Sequence, residues 1–188
     1  MSILLIRGYS QSGKDFVGRY LCKYYGYQRF AFADSLKRSV SKKYNVTVEQ
    51  LHSQRGKLEI CQQDPQQRTY RQILIDEALE ARTNDPDCFA KDCCEEIKRY
   101  RPNNIVITDW RYPNELEILT QSFPEYVITP IHLFRPSQDD SPVLDISEYQ
   151  LKDRDGDTIL LNHMDDSIYD NIDMMMSTIP YIKNEVSW

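Results

Sequence analysis

The stretch Ser2-Ile3-Leu4-Leu5-Ile6-Arg7-Gly8-Tyr9-Ser10-Gln11-Ser12-Gly13-Lys14-Asp15 decides the fold. An apolar run of strand length enters a loop bounded by Gly8 and Gly13. The loop ends in Gly13-Lys14, where a helical pattern begins through Val17, Tyr20, Leu21 and Tyr24. Glycine at these two positions permits backbone conformations that a Cβ resists. Amide N–H groups from Tyr9 through Ser10, Gln11, Ser12 and Gly13 to Asp15 are therefore expected to turn inward onto a polyphosphate. Lys14 adds a cation for the β and γ phosphates, and the helix brings its positive dipole end to the same anion. The spacing G-x-x-x-x-G-K is complete, but Asp15 stands where a Ser or Thr usually supplies a magnesium-side hydroxyl.

The 188 residues fit one domain, 1–188, with a sizeable core. Hydrophobic content of 40% with 28% charged residues is globular, and the longest apolar runs have strand length, so no membrane span is expected. The sequence shows no signal-peptide pattern, and a cytoplasmic protein is expected. Five cysteines without C-x-x-C pairs point to reduced thiols rather than a disulfide framework or zinc knuckle. The net charge of −6 is unevenly spread: residues 1–101 hold 18 Lys and Arg against 13 Asp and Glu, and residues 102–188 hold 5 against 16. Basic residues thus gather where phosphate-handling helices are expected. With a pI near 5.1 and no compact basic run interleaved with aromatics, small anionic substrates fit better than nucleic acid.

Further along, Tyr27–Ala33 alternates as a short strand, and Asp34 or Ser35 is expected to cap a helix through Leu36, Val40 and Tyr44. Thr47-Val48-Glu49-Gln50 and Thr69-Tyr70-Arg71-Gln72 match the capping-box spacing. The polar stretch Ser53–Arg68 between them reads as a mobile surface loop. A helical period covers Asp87–Tyr100, and Ile105-Val106-Ile107-Thr108-Asp109 is a buried-type strand ending in a carboxylate. Pro113 starts a helix over Asn114–Gln121. Val127–Phe134 is the next strand, Thr158–Leu161 the last, and an amphipathic helix through Ile168, Ile172, Met175 and Met176 closes the chain. Segment 135–157 is long, acidic and aperiodic, and reads as a lid. Strands alternating with helices predict an α/β fold with a parallel sheet, whose ligands sit beyond the carboxyl ends of the strands.

Phosphoryl transfer needs two substrates held in line, magnesium, and positive groups over the transferring oxygens. Lys14 and the loop amides are expected to hold the donor, ATP. Asp109 is placed to hold magnesium or orient the acceptor phosphate, and the planar fork of Arg111 to clamp phosphate oxygens. Glu115 lies near enough in sequence to orient that arginine or meet a sugar hydroxyl. Asp15 can take over the missing hydroxyl's role by binding magnesium through water.

Gly8 to Asp15 with its Gly-Lys-Asp ending, Phe32-Ala33-Asp34-Ser35-Leu36-Lys37, Asp109-x-Arg111-x-x-x-Glu115, Ile131-His132-Leu133-Phe134-Arg135-Pro136, Asp145-Ile146-Ser147-Glu148, and Arg154-Asp155-Gly156-Asp157 followed by Asn162 occur in this order. In this order the chain resembles the deoxynucleoside monophosphate kinases of large phages and, more distantly, the phosphomevalonate kinases. The resemblance implies a P-loop NTPase fold and transfer of the γ-phosphate of ATP, with magnesium, to a deoxynucleoside monophosphate. It also implies a homodimer of viral origin serving DNA precursor supply. By resemblance, Lys37 and Arg71 meet the acceptor phosphate. Asp109, Arg111 and Glu115 meet its phosphate and nucleoside side, Arg135 works on the donor side, and Asn162 lies near adenine. Arg68, Gln72 and Phe89 are further candidates for base or phosphate contacts.

The sequence departs from the family pattern in three places. Phe16, within the expected ATP site, replaces a hydroxyl residue. Asp145 replaces a histidine, and Ile75–Thr83 lacks the expected glutamine and glycine. Two other readings stand beside this one. One is a kinase of the same fold with another phosphorylated acceptor, such as phosphomevalonate or a ribonucleotide. The other is a nucleotide-regulated binding module, although an N-K-x-D guanine motif is absent from the sequence.

Overall fold

A computed structural model describes residues 1–136, 147, 150–151 and 154–181. These fall into two compact units, one made of Met1–Ala31 with the described residues from Glu96 onward, the other of Phe32–Glu95.

The first unit is built on five parallel strands: β1 (Ser2–Arg7), β2 (Gln28–Phe30), β3 (Asn104–Ile107), β4 (Val127–Phe134) and β5 (Thr158–Leu161), in spatial order β2-β3-β1-β4-β5. Every residue of β1 and β3 is buried, the burial expected of central strands covered on both faces. Pro130 sits in β4 opposite Leu5, one residue before β5 begins to pair at Ile131. The proline thus falls where β4 has a single neighbour and its missing N–H interrupts no second ladder. The helices of this unit are α1 (Lys14–Tyr25), the end of α6 (Cys88–Tyr100), α7 (Pro113–Ser122) and α8 (Ser167–Thr178). Leu4, Ile6, Val17, Leu21, Val106, Ile131, Leu133, Ile172 and Met176 belong to one of its core clusters. Tyr20 and Tyr25 of α1 both donate to Asp173 Oδ1 of α8, at 3.1 and 2.7 Å.

The second unit holds α2 (Asp34–Tyr44), α3 (Val48–His52), α4 (Gln54–Leu58), α5 (Tyr70–Asn84) and the start of α6. Val40, Tyr44, Val46, Leu51, Cys61, Tyr70 and Ile73 form one of its core clusters. None of the five cysteines forms a disulfide.

The structure differs from four sequence-based expectations. The second strand is only Gln28–Phe30, because the chain turns at Ala31–Ala33 into α2. That helix begins behind Ala33 with no side-chain cap, so neither Asp34 nor Ser35 caps it. Thr47 caps α3 through Gln50 N, but the Gln50 side chain turns away to Glu59, leaving half a capping box. Thr69 and Gln72 make the complete box on α5. Finally, Ser53–Arg68 has defined structure. Ser53 Oγ accepts from Gly56 N at 2.8 Å to start α4, and Ile60 pairs with Thr69 across an antiparallel bridge. Asp64 meanwhile closes the turn onto Arg68. Most of the expected lid, 135–157, lies outside the described residues. No helix among the described residues is long and apolar enough to cross a membrane.

Candidate functional site

All five strands run the same way, so their carboxyl ends share one edge of the sheet. The chain leaves β1 toward β2 on one side, and leaves β4 toward β5 on the other. The divergence opens the sheet edge between β1 and β4, where ligands of such sheets bind. The Gly8–Gly13 loop follows β1 there, Thr108 and Asp109 follow β3, Arg135 follows β4, and Asn162 follows β5.

The loop is held from several directions. Ser12 N donates to Tyr9 O at 3.1 Å, closing a turn in which Gln11 has a φ of 63°. Asn162 Nδ2 donates to Ser12 O at 2.7 Å while its Oδ1 accepts from Met164 N at 2.9 Å. Arg135 Nη1 donates to Gln11 O at 3.1 Å. Lys14, first residue of α1, donates from Nζ to Gly8 O and Tyr9 O, both at 2.6 Å, and so lies across the loop. A Cβ on Gly8 would come within 2.6 Å of Leu133 O, and one on Gly13, at φ 102°, within 2.6 Å of Asn162 Nδ2. Glycine is required at both. Ser12 is 1% exposed, and its Oγ has no hydrogen-bond partner among the described residues. A buried hydroxyl left unpaired is rare in native structures and fits a group meant to receive a ligand. Phe16 packs edge-on against Tyr169, their ring centroids 5.6 Å apart.

Asp15 is exposed at the first turn of α1, and its Oδ1 accepts from Thr108 Oγ1 at 3.3 Å. Thr108 also limits helix approach: a Cβ on Gly18 would lie 2.7 Å from its Cγ2. Among the described residues no group of three or more His, Cys, Asp or Glu side chains converges as a metal cage. Magnesium at nucleotide sites needs only one or two carboxylates beside the phosphates. The glycine cradle, Lys14, the unpaired Ser12 hydroxyl and the Asp15 carboxylate together fit a magnesium nucleotide.

Glu115 is buried and accepts from Arg111 N at 2.9 Å and Tyr112 N at 3.1 Å, so its carboxylate holds the start of α7. Arg111 points Nη1 to Ser147 Oγ. Between Asp109 and Arg111, Trp110 is buried and donates from Nε1 to Tyr112 O at 2.9 Å. Sequence reasoning missed a neighbouring network of charged side chains. Arg7 pairs through Nε with Asp157 Oδ2 and donates from Nη2 to Arg154 O at 3.1 Å. Arg154 Nε donates to Asp157 Oδ1 at 2.8 Å, and its guanidinium lies 5.2 Å from the centre of the Trp110 ring. No local pattern reveals this network, because Arg7 and Asp157 meet only when β1 and β5 join one sheet.

In the second unit, Lys37 Nζ lies 3.1 Å from His52 Nδ1 and 3.8 Å from Asp34 Oδ1. Arg71 is half-buried on the first turn of α5. Arg68 grips Asp64 with Nε and Nη2, each at 2.9 Å, and reaches Asp76 with Nη1 at 2.8 Å. This fork holds the Asp64 carboxyl down to about 2. Phe89 is buried, with the Arg82 guanidinium 4.7 Å from its ring centre. Arg68 and Phe89 thus carry visible structural contacts.

No protein-family profile matches the chain, and no curated protein matches it in sequence. Among solved structures, it is similar to a sugar kinase from Janibacter sp., at 12% identity over 94% of this chain and 93% of that one, with a TM-score of 0.43. A shikimate kinase from Bacteroides thetaiotaomicron aligns at 12% identity over 94% and 97% of the two chains, TM-score 0.41. A gluconokinase from Sinorhizobium meliloti aligns at 9% identity over 95% and 98%, TM-score 0.40. At TM-scores below 0.5 these likenesses bear no weight, and the architecture rests on the chain's own features: a parallel α/β sheet flanked by helices, with a glycine-bounded loop between its first strand and first helix.

Proposed function

We propose that this protein is a phosphotransferase that moves the γ-phosphoryl group of ATP to a small phosphorylated molecule. The observation that carries the reading is the cradle: glycines that tolerate no Cβ, a lysine across the loop, a helix starting at its end, and a buried unpaired serine hydroxyl. Backbone amides and the α1 dipole favour the polyphosphate, and Lys14 exchanges its two carbonyl partners for phosphate oxygens. Asp15, braced by Thr108, and Asp109 are the residues that would hold magnesium. Bound magnesium supplies charge neutralisation over the phosphate oxygens of the donor. Arg135 and Asn162 hold the loop in shape and Arg111 clamps the acceptor phosphate, while the resemblance alone assigns Lys37 and Arg71 to that phosphate.

Within this reading, the sequence resemblance favours a deoxynucleoside monophosphate as acceptor; phosphomevalonate and ribonucleoside monophosphates are the competing acceptors. An ADP-release screen across the four deoxynucleoside monophosphates, the ribonucleotides, phosphomevalonate and unphosphorylated sugars separates them. Turnover with a phosphorylated acceptor is the expected result. Turnover only with unphosphorylated sugars would overturn the acceptor class.

A further inference from the structure

The Arg154 side chain is 32% exposed, and its polar contacts among the described residues use only Nε. That single bond goes to Asp157, whose side chain is 1% exposed and whose other oxygen is taken by Arg7. The guanidinium carbon lies over the buried Trp110 ring, 5.2 Å from its centre. A guanidinium held through Nε and resting over an aromatic ring presents its two terminal nitrogens as a ready fork, the geometry that recognises phosphate in two-pronged fashion. The local charge agrees. Two arginines share one carboxylate, so the network keeps one positive charge after internal pairing. Its location agrees as well. Arg7 directly precedes Gly8 of the loop, and Trp110 stands between Asp109 and Arg111.

From this arrangement we propose that Arg154 is a second phosphate-binding arginine, held in aim by Asp157 and Trp110, and that it acts with Arg111 on the acceptor's phosphate monoester. Arg7 is a positioning residue: it shares the Asp157 carboxylate with Arg154 and so fixes where that carboxylate lies. The inference rests on the phosphotransferase reading for its substrate, but not for the anion site itself.

Trp110 makes a direct test possible, because the chain has two tryptophans and the other is Trp188. In a Trp188→Phe background, Trp110 fluorescence should change saturably on titration with inorganic phosphate. Arg154→Lys keeps a cation near the ring but loses the fork, and should weaken that response at least tenfold. Calorimetric titration of Arg154→Ala, which needs no ring signal, should show the same loss of phosphate affinity, whereas Lys14→Ala should leave the Trp110 response in place. Unchanged phosphate affinity in both Arg154 variants, or a response abolished by Lys14→Ala alone, would place the anion at the glycine loop and overturn the assignment. If the Arg154-dependent response is found while no acceptor yields ADP, the anion site stands and the phosphotransferase reading fails. If ADP forms normally with Arg154→Ala, the reading stands and Arg154 loses its role.

Discussion

Lys14 is tied to two carbonyls of the loop it closes, and at Gly13 beside it a Cβ would stand only 2.6 Å from Asn162 Nδ2. This crowding makes Gly13 a sensitive position of the cradle. Gly13→Ala imposes strain at φ 102° and pushes on the Asn162 amide, so it is expected to destabilise the protein by more than about 1 kcal/mol. It should also weaken ATP binding, measured by calorimetry beside thermal melting. Loss of stability with unchanged ATP affinity would detach the loop from the nucleotide. Arg111 offers a contrasting test. Lysine preserves its charge but not its planar fork, so Arg111→Lys should lose acceptor turnover nearly as fully as Arg111→Ala. Wild-type rates in both variants would return Arg111 to the scaffold.

At the scale of elements, strands and helices were legible wherever apolar spacing was continuous. β1 and β3 are built on the uninterrupted apolar runs Ile3–Ile6 and Ile105–Ile107, and α5 opens with a capping box whose residues lie within one turn. Ser53–Arg68 was misread as a mobile loop because its order comes from polar groups: a serine cap on the short α4, and Arg68 closing on Asp64. This turn carries a pH signature. The folded Asp64 carboxyl is depressed to about 2 from an ordinary value near 3.8, so its contribution is complete above the unfolded value and is lost as pH falls through the folded one. The melting difference between wild type and Asp64→Asn should therefore be widest near neutrality and close between about pH 4 and 2. A difference that stays constant across that range would show that the ion pair does not hold the turn.

Across the whole molecule, the parallel sheet gathers at one edge what the chain separates: the loop after β1, Thr108 and Asp109 after β3, Arg135 after β4, and Asn162 after β5. The convergence was readable from strand order alone, since strands alternating with helices leave few arrangements. Which atoms meet was not. Asn162 serves Ser12 O and Met164 N, Glu115 serves the start of α7, and the Arg7–Asp157–Arg154 network joins positions far apart in sequence. Such contacts depend on side-chain direction at the sheet edge, which no spacing rule encodes. On the proposed reading, this edge transfers a phosphoryl group rather than merely binding nucleotide. ADP release from ATP and magnesium, measured with and without a phosphorylated acceptor for wild type and Lys14→Ala, tests it most directly. ADP should appear only with acceptor, and Lys14→Ala should slow it by about two to four orders of magnitude. ADP release at the same rate without any acceptor, or a Lys14→Ala enzyme keeping more than about a tenth of wild-type turnover, would contradict the account.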